Sequence, residues 1–149
     1  MIESNLEKNS LYTEGCNNLR HYSSAVLNTR NMAIAQGLVI LTAAGYFIRE
    51  QEFRSSLSVS LFGLFFTSVL YKLQDNYWSH FNVILDAVVA LEGDGNPDNA
   101  SKGTWTVYKV GRDKKSEQWL WKFFVATGPF YLLLFAFLVI IAVDLIHIW

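Results

Sequence analysis

Three stretches of this chain carry no charged residue: Asn31 to Ile48, Ser55 to Tyr71 and Phe123 to Val143, which are 18, 17 and 21 residues long. A hydrocarbon core of about 30 Å needs roughly 20 apolar residues at 1.5 Å of rise each. The third stretch spans comfortably and the first two are short. In lipid every backbone N–H and C=O must be satisfied within the segment, which selects helices. The chain therefore reads as an all-α membrane protein with about three transmembrane helices, long cytoplasmic helical extensions and one short β segment.

Charged residues make up 17% of the sequence, against roughly 25% in soluble domains. With 56 of 149 residues in these stretches, no soluble domain of ordinary size fits beside the spans, and the formal charge of −1 offers no attraction to nucleic acid. Cys16 has no partner cysteine in the chain, so it reads as a free cytosolic thiol and no Cys-based metal site can form. Residues 1–30 lack the short apolar run and small-residue cleavage site of a signal peptide, which leaves the first span as an anchor.

Ten of the twelve Lys and Arg residues flank the spans on one side, and only Arg49 and Arg54 lie in the loop between the first two. By the positive-inside rule the N-terminus and residues 73–121 are cytoplasmic, with the C-terminus outside. Leu19, Tyr22, Val26 and Leu27 recur at helical spacing, so a cytoplasmic helix over 14–30 leads into a first span over 31–48. The second span, 56–72, continues as a cytoplasmic helix to residue 91, where Tyr77, Phe81, Ile84, Val88 and Leu91 form an apolar contact face. Gly93, Gly95 and Pro97 open a loop over 92–115. Within it Thr-Trp-Thr-Val-Tyr-Lys-Val, residues 104–110, favours an extended strand. A third span follows over 122–147, and Pro129 inside it predicts a kink.

The second span places Ser56, Ser60, Gly63 and Thr67 four, three and four apart, one stripe down one face. Such a stripe either packs helices closely or lines a water-filled pore. Gln36 beside Gly37 puts an amide at membrane depth, where it needs a partner on another helix or an aqueous path. Asp144 and His147, three apart near the end of the third span, share a face and form a candidate polar pair, although two side chains on one helix do not make a metal site. No catalytic triad, paired carboxylates, phosphate loop or metalloprotease motif is present, so neither an enzyme nor a cofactor is expected.

A polar helix entering a tight two-span hairpin whose second helix emerges as an amphipathic extension resembles the small bacterial effector membrane proteins of the SLATT type. It also resembles the RipA-like octameric membrane proteins, and loosely the pore-forming membrane accessories of RNA-targeting CRISPR systems. The resemblance runs from Asn18 to Glu92, including Arg20-His21-Tyr22 before the first span and the segment His80 to Glu92 after the second. It covers about half of the chain; the third span and the Trp105 segment depart from it. What it implies is a homo-oligomer that encloses or gates a membrane opening in antiviral defence or stress. The expected partners are then the lipid bilayer and further copies of the chain. The alternative is a non-conducting anchor whose residues 77–91 recruit a soluble cytoplasmic partner.

Overall fold

The computed structural model describes residues 2–92, 105–106, 108–110 and 127–149, with side chains from residue 9 onward. Nearly all of them lie in three helices, α1 (Ile2–Arg49), α2 (Phe53–Glu92) and α3 (Gly128–Ile148). All three are long and apolar enough to cross a membrane. α1 begins well before the expected start near Glu14, since no Pro interrupts residues 2–49.

The helices contribute to two compact units. One, the charged unit, holds α1 up to Val26 and α2 from Asp75; the other, the span unit, holds α1 from Leu27, α2 up to Gln74, and α3. In the charged unit Leu19, Phe81, Leu85 and Val88 are buried, and Tyr12, Cys16, Tyr22 and Trp78 pack around them. Phe81, Leu85 and Val88 follow the four-three spacing of interlocking helices. Burial of each such side chain contributes roughly 1.5–3 kcal/mol. Gly15 admits this packing, because a Cβ there would stand 2.5 Å from Val88 Cγ2.

The span unit packs small residues against large ones. A Cβ on Gly63 would overlap the Phe137 ring and Ile40, and one on Gly37 would overlap Leu133. Ala33, Leu70 and Phe130 form a further buried group. In lipid no hydrophobic drive pulls helices together, so close approach and the dispersion contacts it permits must supply the association.

The turn from α1 to α2 is a Schellman motif. The Glu52 amide donates to the Phe47 carbonyl at 2.9 Å and the Gln51 amide to that of Ile48 at 3.0 Å. Gln51 occupies the left-handed position with φ of 63°, where glycine is the usual occupant.

Two expectations are corrected. Trp105, Thr106 and residues 108–110 are helical, not extended, and no strand occurs among the described residues. Glu92 accepts hydrogen bonds from the Trp105 and Thr106 amides, and this cap outweighs local β propensity. Pro129 stands in the first turn of α3, after the N-cap Thr127, a position where its missing N–H and fixed φ are tolerated. The rest of the 92–115 loop and the expected span residues 122–126 lie outside the described residues.

Candidate functional site

The α2 stripe faces inward. Ser56 and Ser60 are fully buried, Thr67 is 1% exposed, and Gly63 lies under Phe137. The stripe thus packs inside a single chain. The hydroxyls on other faces behave differently: Ser58, Ser68 and Thr42 are exposed and each donates to the carbonyl four residues earlier in its own helix, at 2.8–3.0 Å. Ser56 Oγ and Ser60 Oγ make no hydrogen bond among the described residues.

A carboxyl group shares their burial. Asp144 is fully enclosed, and neither of its carboxylate oxygens has a hydrogen-bond partner among the described residues. The register of α2 against α3 places it. Gly63 meets Phe137, and the Phe53 ring stacks on His147 with centroids 4.7 Å apart and planes at 17°. The helices run antiparallel, so three residues on from Phe53 and three back from His147 bring Ser56 level with Asp144. Ser60 follows one turn deeper. Buried polar groups without partners are rare, and at membrane depth they are costly.

His147 does not pair with Asp144. Its Nδ1 lies 2.8 Å from the Val143 carbonyl of its own helix, its ring covers Phe53, and the side chain is exposed. A cleft of about 370 Å³ opens beside it, lined by residues that include Glu52, Phe53, Arg54 and His147. The cleft is open, the carboxyl is closed, and the Phe53–His147 stack stands one turn from each of Ser56 and Asp144.

The chain matches no protein-family model, no curated protein and no solved structure.

The remaining candidates lie elsewhere. Gly37 is buried against Leu133, whereas Gln36 beside it is exposed, with no hydrogen bond among the described residues. In the charged unit Phe81 and Val88 of the expected contact face are buried under α1, while Tyr77, Ile84 and Leu91 flank them half-buried. The face is centred on Leu85, fully buried, which the sequence reading passed over. No group of three His, Cys, Asp or Glu residues placed to hold a metal ion occurs among the described residues.

Sequence reasoning also missed Glu92. Its carboxylate accepts from the Tyr12 hydroxyl at 2.8 Å, the Trp105 amide at 3.2 Å, and the Thr106 amide and hydroxyl at 2.8 and 2.6 Å. Burial pushes the carboxyl pKa up, but the bonds from Thr106, Tyr12 and Trp105 outweigh it and hold the group below the usual carboxylate range. The Tyr12 hydroxyl is pushed up in turn, chiefly by the bond it donates to Glu92. Nearby, Lys109 Nζ pairs with Asp86 at 2.8 Å. A glutamate just before a glycine-rich turn is a helix-end signal, but nothing local reveals that it caps a segment thirteen residues ahead.

Proposed function

We propose that the chain is a homo-oligomeric membrane protein that forms or gates an opening in the bacterial inner membrane, in a defence or stress response. The observation that carries this reading is Gln36. It lies within the first charge-free stretch, its side chain faces away from the chain, and it has no hydrogen bond among the described residues. An amide left facing hydrocarbon is costly, whereas a second copy packed on that face supplies the missing partner. Outward hydroxyls bonded to their own helix make no such demand. The opening then lies between copies, because each copy encloses its own serine stripe.

The distribution of Lys and Arg supports an arrangement with the N-terminus and the charged unit in the cytoplasm. The anchor reading requires an exposed apolar face at residues 77–91 for a soluble partner. Phe81, Leu85 and Val88 of that face are covered by α1, which leaves little for such a partner to grip.

The test is the mass of the purified protein in nanodiscs, followed by conductance across planar bilayers. A closed ring of several copies that conducts is the expected result, with Gln36→Leu lowering the copy number. A monomer without conductance overturns the proposal.

A further inference from the structure

We propose that Asp144, Ser56 and Ser60 bind one monovalent cation, Na⁺, at the loop end of the span unit. The site stands whether or not the protein forms rings or conducts, since all three residues belong to one compact unit of one chain.

The argument begins with charge. An ionised carboxylate taken out of water without a partner costs far more than a folded chain can absorb, so Asp144 must hold either a proton or a cation. The surroundings decide between them. A protonated carboxyl still has a hydrogen to donate and lone pairs to satisfy, and the unpartnered hydroxyls of Ser56, at its level, and Ser60, one turn deeper, complete an all-oxygen set. Oxygen donors of this kind suit hard cations. A serine on a helix face ordinarily bonds back to the preceding turn, as Ser58 and Ser68 do here. Ser56 and Ser60 forgo that bond.

Charge count selects a monovalent ion. Asp144 supplies one negative charge, and α1 presents no charged residue between Asn31 and Ile48. A divalent ion would leave a net positive charge in a medium of low dielectric constant. Glu52 and Arg54 from α2 and His147 from α3 line the cleft, and α1 ends at Arg49 beside the same turn. The cleft lies at the same end of the unit: Phe53 and His147, which line it, stand one helical turn from Ser56 and Asp144.

The experiment uses the full chain in nanodiscs at one fixed pH. Dicyclohexylcarbodiimide modifies carboxyl groups in apolar surroundings in their protonated form, and an ion bound to the carboxylate protects it. Labelling of the peptide containing Asp144 is followed by mass spectrometry in choline chloride and in NaCl of equal ionic strength, with Asp144→Asn as the control for assignment. The expected result is labelling in choline and suppression by Na⁺. Ser56→Ala and Ser60→Ala should each keep the labelling in choline but need about tenfold more Na⁺ for protection, the loss that one removed oxygen ligand predicts. Equal labelling in both salts would mean that Asp144 holds a proton only, and would overturn the proposal. So would absence of labelling in choline, or serine variants protected at the wild-type Na⁺ concentration.

Discussion

Along α2 the buried positions keep a four-three spacing in both units, but their occupants change kind. In the span unit they include Ser56, Ser60, Gly63 and Thr67; in the charged unit they are Phe81, Leu85 and Val88. The outer faces are reversed as well. Phe65 is 67% exposed and Phe81 2%, although both lie on the same helix. In water, burying large apolar side chains drives association, so they fill the inside. In lipid that drive is absent, and the inside goes to residues that let backbones approach. One helix thus carries two opposite kinds of buried face.

The sharpest way to break this contrast is at Leu85. Leu85→Ala removes a fully buried side chain from the charged unit and should cost about 3 kcal/mol, read as a lower midpoint in thermal unfolding followed by tryptophan fluorescence. In the span unit the damaging change is the opposite one. Gly63→Val drives a branched side chain into Phe137 and Ile40, and overpacking of this kind should cost about 1–3 kcal/mol. Reduced resistance to detergent-induced unfolding would check it; wild-type resistance would show that α2 and α3 are not in close contact there.

The units should also part company with pH. Glu92 is held below the usual carboxylate range, so its contribution is present above its unfolded pKa and is lost as pH falls through its lowered folded pKa. Acid should therefore release the Trp105 segment, seen as a shift in tryptophan emission, and Glu92→Gln should flatten the transition. A smaller gain is available at the turn. Gln51 sits at φ of 63°, and Gln51→Gly should stabilise the hairpin by about 0.5–1 kcal/mol once glycine's extra chain entropy is set against the relieved strain. The smallest effect belongs to Ser60→Ala in a sodium-free buffer. Its hydroxyl has no partner among the described residues, so stability should stay within about 0.5 kcal/mol of wild type.

How much of this could be read beforehand depends on the range of the signal. Absence of charge over 17 to 21 residues is written along the chain itself, and it located all three helices. The helical state of residues 105–106 and 108–110 escaped because the cap, Glu92, arrives from outside the segment, while β propensity is judged within it. Pro129 was read as a kink because the sequence does not announce that the described helix begins at Gly128. The serine stripe was visible as a face, yet periodicity says which residues share a face and not which faces meet. That step needs the fit of Phe137 over Gly63. With the Phe53–His147 stack it sets Asp144 level with Ser56, and so the candidate site emerges only from the packed helices.

The fit of α3 over the serine stripe also bears on how the chain is made. α3 is the most apolar of the three helices and the last to be synthesised. Until it arrives, the first hairpin stands in the bilayer with Gly63 covered by Ile40 but not by the Phe137 ring. Insertion and folding are then separate events, and a ribosome stalled before Gly128 would leave a hairpin open to capture by the proteases that survey the membrane.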